Sequence, residues 1–379
     1  MRKNSVVHLL NPYLFLHGSW IYTQLKGIKE FESHVFTYRT ENEKLFPFPR
    51  VISAYSFPAH LKMMSILLNR IFDNFGYFFE KYEKQIDPVL YHAHMGMDAA
   101  RWLNFVKKTG KPLITSFYGQ DVSKLGRLPY WQKRYLELFD YGTHFLAEGN
   151  NLKKQLVSLG CPPEKVIIQK LGVDVGNYPV KDYKIVNNSE NVILQASSFV
   201  EKKGLVYTIQ GFDIAANENK QIKLKIIGGG KTEEELEINA LIAKCENKDR
   251  IELLGSKSHR QFLDELSKSD IFIHPSVTAS DGDNEGGSPV SITEASACAI
   301  PIISTFHADI PEAVINQKTG LLVQEKDSAS LAAEICKLAA SPGMRQNFGL
   351  AGREHIKINF NLGLQIKKLE SIYQKVMLV

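Results

Sequence analysis

The segment SDGDNEGGSPVSITEASACAIPIISTFHADIPE, from Ser280 to Glu312, reads as a polar glycine loop, a helix, an apolar strand and a second polar loop in succession. IFIHPS, from Ile271, supplies an apolar strand just before it, so strand, helix and strand follow one another as in a parallel sheet. Asp281, Asp283 and Glu285 lead into Gly286 and Gly287, where a chain without side chains can approach a ligand closely and offer backbone NH groups to anionic oxygens. Ser288 is placed to cap the helix and Pro289 to open it. A helix N-terminus carries partial positive charge, so this loop is a candidate phosphate seat. Glu294, one to two turns in, reaches a hydroxyl-bearing group at the same mouth. The plainer alternative is an ordinary turn followed by a solvated glutamate.

The same rhythm extends in both directions. Apolar runs occur as VVHLL at Val6, HVFTY at His34, VLYHA at Val89, PLITSF at Pro112, THFLA at Thr143 and KVIIQK at Lys165. They continue as NVILQA at Asn191, LKIIGGG at Leu224, IELLG at Ile251, PIIST at Pro301 and GLLV at Gly320. Runs apolar throughout belong to sheets covered on both faces. PVKDYKIVNNSE, Pro179 to Glu190, is polar and fit for a linker. The expectation is an α/β chain of two Rossmann-like, doubly wound domains, residues 1–180 and 181–361, facing each other across a cleft. In such sheets ligands bind beyond the carboxyl ends of the strands.

At 379 residues the chain exceeds the size of one core, and 44% hydrophobic with 23% charged residues is ordinary for a globular protein. No apolar run reaches the roughly 18 residues of a membrane span. MRKNSVVHLLNPYLF resembles a signal peptide only superficially, because Asn11, Pro12 and His17 interrupt it; it reads as a first strand entering a loop. Cys161, Cys245, Cys298 and Cys336 are widely spaced, which suits buried thiols in a reducing cytoplasm and argues against a metal cage. His92 and His94 are read as pointing to opposite faces and so as poor joint metal ligands; no metal site is expected. The net charge of +5 neither demands nor excludes an anionic partner, is compatible with an acidic membrane surface, and no basic stretch with stacking aromatics points to nucleic acid. Residues 56–85 combine Met63, Met64, Leu67, Ile71, Phe72, Phe75 and Phe79 with Lys62, Arg70, Lys81 and Lys84. Two readings stand, a core helix or an interfacial one in peripheral contact with the inner face of the cytoplasmic membrane.

The loop-helix-strand unit resembles the donor-binding core of family 4 glycosyltransferases, marked by two glutamates with seven residues between them. Glu294-Ala295 and Ala297 to Pro301 match its second half. Glu285 lies nine positions before Glu294, so eight residues intervene and Gly286 stands at the strict first-Glu place; either can fill it. The colanic acid and surface polysaccharide branch is the nearest likeness, since Glu285 to Pro289 and His307 to Glu312 match its EGG.P loop and H.DIPE segment.

The resemblance implies a GT-B fold, with a helix at about 362–379 returning to the N-terminal, acceptor-side domain while 181–361 binds the donor. It implies that Lys203 holds the donor diphosphate, with Ser198 at a place where relatives carry arginine. Gly228 and Gly229 would neighbour the nucleotide, and Gly18, after the first strand, would approach the donor phosphates or the acceptor. Glu285 would hold the transferred sugar, Glu294 the ribose, and the loop Gly286, Gly287, Ser288 and Pro289 the phosphates. His94 would stabilise charge at the sugar, making His94, Glu285 and Lys203 the catalytic candidates. Tyr118 stands where relatives carry histidine, and Asp121 either orients an acceptor hydroxyl or caps a helix. The implied reaction is transfer of a sugar, with retention and no obligatory cofactor, from a nucleotide diphosphate sugar to a glycan or lipid-linked acceptor in surface polysaccharide or lipopolysaccharide assembly. A sugar-nucleotide epimerase, a sugar phosphorylase and a catalytically silent carbohydrate-binding subunit are the alternatives.

Overall fold

A computed structural model describes residues 3–15, 18–183 and 190–378; half of the expected linker, 184–189, lies outside the described residues. The chain forms two compact units, Met1–Gly172 with Leu362–Val379, and Val173–Asn361. The sequence reading sets the boundary at 180/181, whereas the contacts set it at Gly172–Val173. The physical reason is that Val173 and Val175 are buried in the second unit's core, and Tyr178 packs against it.

In the first unit the strands are β1 (Ser5–Leu9), β2 (Glu32–Thr37), β3 (Val51–Ser53), β4 (Leu90–His94), β5 (Leu113–Ser116), β6 (His144–Ala147) and β7 (Val166–Ile168). They form one sheet in the order β3-β2-β1-β4-β5-β6-β7, with parallel pairs throughout. The second unit contains β8 (Asn191–Ala196), β9 (Ile222–Ile227), β10 (Ile251–Gly255), β11 (Ile271–His274), β12 (Ile302–Thr305) and β13 (Gly320–Val323), in the order β10-β9-β8-β11-β12-β13 and again parallel. Each apolar run of the sequence is a strand, and the inner strands are buried because helices cover both faces. Only β3 escaped the pattern, since three residues between Arg50 and Ala54 are too short to show one.

Strand order reverses direction between β1 and β4 in the first unit and between β8 and β11 in the second. These are the switch points at which crossover connections diverge to opposite faces and leave a crevice at the strands' carboxyl ends. The helix Leu362–Val376 completes the first unit: Leu369, Ile372, Tyr373 and Val376 join Val6, Leu90, Ile114 and Leu146 in one buried cluster. Its Glu370 carboxylate accepts the amides of Lys29 and Glu30 at 2.6 and 2.7 Å.

The helix Ala59–Phe72 resolves the two readings of its segment unevenly. Among its residues only Ser65 is buried, while Met63, Leu67, Ile71 and Phe72 are 73, 58, 61 and 58% exposed. Phe75 and Phe79, just beyond it, do enter the core against Trp102. Among the described residues no helix is long and apolar enough to cross a membrane.

The Tyr373 hydroxyl lies 2.6 Å from His92 Nδ1, both groups being fully buried. A Tyr373→Phe variant leaves that nitrogen without a partner and is expected to lose about 1–3 kcal/mol. Thermal unfolding followed by circular dichroism checks this, and an unchanged midpoint would show that the bond contributes nothing.

Candidate functional site

The second unit's switch point gathers the charged residues. After β8 the chain runs through a single 3-10 turn, Glu201–Lys203, to Gly204. Gly204 has φ +65°, and a Cβ there would sit 1.8 Å from the Pro275 carbonyl oxygen. Only glycine allows this approach of the loop after β8 to the loop after β11. Lys203 is thereby brought to Glu285, 82 positions away, with Nζ 2.7 Å from Oε2.

Glu285 is the most enclosed acid of the site, its side chain 6% exposed. Oε1 accepts the Ser276 hydroxyl at 2.8 Å and lies 3.6 Å from His274 Nε2, too far for a good hydrogen bond. Burial alone pushes the Glu285 carboxyl up, but the Lys203 ammonium, with His274 and Lys202, outweighs it and holds the group well below the usual carboxylate range. His274 moves down from its ordinary value because it is buried, so it is neutral at neutral pH. The Glu285 amide donates to His307 Nε2 at 3.1 Å, which fixes the proton of His307 on Nδ1, and that nitrogen donates to Glu325 Oε1 at 2.7 Å. Lys202, next to Lys203 in sequence, turns instead to Asp283 at 3.1 Å.

The extra residue between the two glutamates is taken up at Gly286. The Gly287 amide donates to the Glu285 carbonyl at 2.9 Å across Gly286, whose φ is +73°, a tight three-residue turn that favours glycine. With the turn in place it is Glu285, and no side chain of residue 286, that enters the pocket. The amides of Gly286 and Gly287 are spent inside the loop, on Asn284 Oδ1 and on Glu285 O. The helix begins one residue later than its sequence suggests, at Val290, with Pro289 as its cap. Ser288 does not cap it; its hydroxyl donates to the Asp309 carbonyl at 2.6 Å, tying this loop to the one after β12. The helix amides without an intrahelical acceptor therefore lie at Val290 and Ser291.

Glu294 sits in the middle of this helix, Val290–Ala297, with a side chain 13% exposed. Its Oε1 accepts the Tyr178 hydroxyl and His259 Nε2, both at 2.8 Å. Nearby, the glycines after β9 are partly committed: the Gly228 amide donates to Gly255 O at 3.1 Å, and Gly229 O accepts the Phe199 amide at 3.0 Å. Ser198 lies half-buried in the loop after β8.

The first unit's switch point is different in character. His8 of β1 and His92 and His94 of β4 stack on one face of the sheet, with the His92 and His94 ring centroids 4.4 Å apart. Residues two apart in a strand share a face, so the expectation that this pair diverges is overturned. One ring nitrogen from each of the three histidines falls within 4.8 Å of the other two. His8 Nδ1 lies 3.1 Å from His94 Nε2, His94 Nδ1 2.8 Å from the Tyr118 hydroxyl, and His92 Nε2 2.8 Å from Ser116 Oγ. Burial drives His8 and His92 well below the ordinary histidine value and His94 down to about 3, so the stack is uncharged at neutral pH. His94, expected at the transferred sugar, is fully enclosed with both nitrogens engaged by protein. Asp121 also turns inward: from within the short helix Gln120–Ser123, which follows Gly119, it accepts the amides of Tyr118, Gly119 and Gly96 at 3.1, 2.9 and 2.9 Å. The Gly18 amide donates to Phe15 O at 2.8 Å.

Sequence reasoning missed His274, Ser276, Tyr178, His259 and Glu325. The first two were in view in IFIHPS, at a strand end beside a switch point, where position alone marks them.

Comparison with known proteins decides the family. Residues 181–355 match the model for glycosyl transferases group 1. The chain is 31% identical over 282 residues to the putative colanic acid biosynthesis glycosyltransferase WcaL of Salmonella typhimurium, covering 74% of this chain and 68% of that one. It belongs to the group 1 glycosyltransferases. The amylovoran biosynthesis glycosyltransferase AmsK of Erwinia amylovora is 30% identical over 69% of this chain and 64% of its own length. Among solved structures, Anabaena Alr3699/HepE in complex with UDP superposes with a TM-score of 0.79 at 13% identity, covering 98% of this glycosyltransferase and 100% of HepE. The shared architecture is the GT-B fold.

The Lys203–Glu285 pair makes two testable demands on the glycosyltransferase. Lys203→Met leaves a buried carboxylate without its cation and is expected to cost about 3–5 kcal/mol. Because the folded-state value of Glu285 is depressed, its stabilising contribution is complete above the unfolded carboxylate value near about 4.3 and is lost as pH falls below it. Denaturant titrations of wild type and Glu285→Gln between pH 6 and 3 check the sign; a parallel loss of stability in both would contradict it.

Proposed function

We propose that this glycosyltransferase moves a sugar from a nucleoside diphosphate sugar to a hydroxyl of a glycan or lipid-linked acceptor, with retention at the anomeric carbon, in surface polysaccharide assembly. One observation carries the reading: two enclosed glutamates, one paired with a lysine, flank a helix N-terminus at the switch point of the second unit. In this reading Glu285 accepts hydroxyls of the transferred sugar and Glu294 those of the ribose. Lys203 and the amides of Val290 and Ser291 take the diphosphate, and charge developing on the departing phosphate is met by groups already in place. Lys203 then serves two anions, the fixed carboxylate and the incoming phosphate. The reaction so described requires no metal or further cofactor. HepE has been crystallised with UDP, with UDP and glucose and with UDP-glucose, and WcaL and AmsK are named for colanic acid and amylovoran biosynthesis; these support the donor class and the acceptor setting.

The acceptor side of the reading rests on the helix Ala59–Phe72. It carries His60, Lys62 and Arg70, no acidic residue, and an exposed row of Met63, Leu67 and Ile71 spaced four apart. A basic helix with a bare apolar row suits the boundary of an anionic membrane, where a lipid-linked acceptor is found.

Glu294→Ala is expected to raise the donor KM at least tenfold or to abolish turnover, without lowering the thermal midpoint by more than a few degrees; near-normal kinetics would remove its role. Turnover of the sugar nucleotide into an epimer without any acceptor would overturn the transfer reading. Flotation with vesicles containing anionic phospholipid should carry the wild type upward and leave a Met63→Asp, Leu67→Asp, Ile71→Asp variant at the bottom.

A further inference from the structure

Glu294 is held in a way the donor reading does not explain. Two separate elements of the second unit converge on it, one of them fastened by a third. Tyr178 follows the 3-10 turn Val175–Asn177, and that loop is fastened from the helix Pro342–Asn359 by Arg353, which donates to the carbonyls of Val175 and Tyr178 at 3.1 and 3.3 Å. His259 is the first residue of the helix His259–Ser267, whose start is fixed by the reciprocal bonds of Ser258 and Gln261. The His259 ring stands edge-on to Tyr178, centroids 6.2 Å apart. Both donors meet on one oxygen, Oε1, at 2.8 Å, and among the described residues Oε2 accepts no hydrogen bond.

The terminal torsion of a glutamate is broad, so a lone carboxylate turns freely and presents neither oxygen in a fixed direction. Two donors on one oxygen remove that freedom and aim the other oxygen. The hydrogen bond to Glu294 also raises the His259 ring above its ordinary value, as a charge-assisted contact should. A fixed acceptor facing a hydroxyl discriminates strongly against a ligand that lacks it, because the acceptor is then left unpaired.

We propose that Tyr178 and His259 are positioning residues that lock Glu294 by Oε1, so that Oε2 selects nucleoside diphosphates bearing ribose hydroxyls over those without them. This deepens the donor reading and rests on Glu294 as the ribose partner. Tyr178 in place of phenylalanine adds only the hydroxyl that reaches Oε1, and His259, its side chain 59% exposed, contributes little packing, so both can be altered with little loss of core.

The test is calorimetric titration of the full chain with UDP, GDP, ADP and CDP and with the 2′,3′-dideoxy counterpart of each nucleotide that binds. Wild type should bind the ribonucleotide at least tenfold more tightly than its dideoxy form. Tyr178→Phe and His259→Ala should each lower that ratio several-fold, and the double variant should bring it near one, while dideoxy affinity stays within about twofold. A wild type that binds none of the four, or binds both forms equally, overturns the ribose reading itself. A wild type that discriminates, with variants that discriminate equally well, overturns the positioning role and leaves the donor reading standing. Equal weakening of both forms in the variants would mark Tyr178 and His259 as general supports of the pocket and likewise overturn the proposal.

Discussion

A carboxylate taken out of water must find a cation or give up its charge, and in the second unit Glu285 finds Lys203. Much of the surrounding geometry is what this pairing requires. The lysine comes from the loop after β8 and the glutamate from the loop after β11, so the two central strands have to end side by side. Gly204 lets the loops touch, Gly286 turns the chain so that the acid faces inward, and His307 holds the Glu285 backbone from the loop after β12. Groups held this way are positioned by the fold itself, which is the condition under which fixed charges are most effective.

The two sheets share one strand order over six strands and differ in chemistry at their switch points. In the first unit the equivalent place is filled by three neutral histidines, two tyrosines and a serine, joined ring to hydroxyl. In the second it holds a lysine and two acids. Buried neutral networks fix orientation, whereas buried charges select for a charged partner. The phosphate-handling reading of the second unit follows from that contrast within one repeated architecture.

The strands were legible because a parallel strand covered on both faces is apolar along its whole length, a signal that survives without knowing its neighbours. The loop from Glu285 to Pro289 was legible because glycines and acids rarely cluster without a local reason. What could not be read was pairing across distance: nothing in either segment says that Lys203 and Glu285, 82 positions apart, form an ion pair, or that Tyr178 reaches Glu294 across 116. His92 and His94 were misjudged for a simpler reason, the side-chain period of a strand. Ser288 was misjudged because a competing acceptor, the Asp309 carbonyl, lay on a loop that the local sequence does not reveal.

Unit 2 is a single uninterrupted piece of chain, Val173–Asn361, whereas unit 1 is split by it. During synthesis the inner piece can therefore condense as it leaves the ribosome, while the outer sheet, made earlier, stands with one flank bare. Leu90, Ile114 and Leu146 lack part of their cover until Leu369, Ile372 and Tyr373 have been translated. The older half of the molecule can therefore complete this cluster only after the whole of the younger one has been made, some 190 residues later.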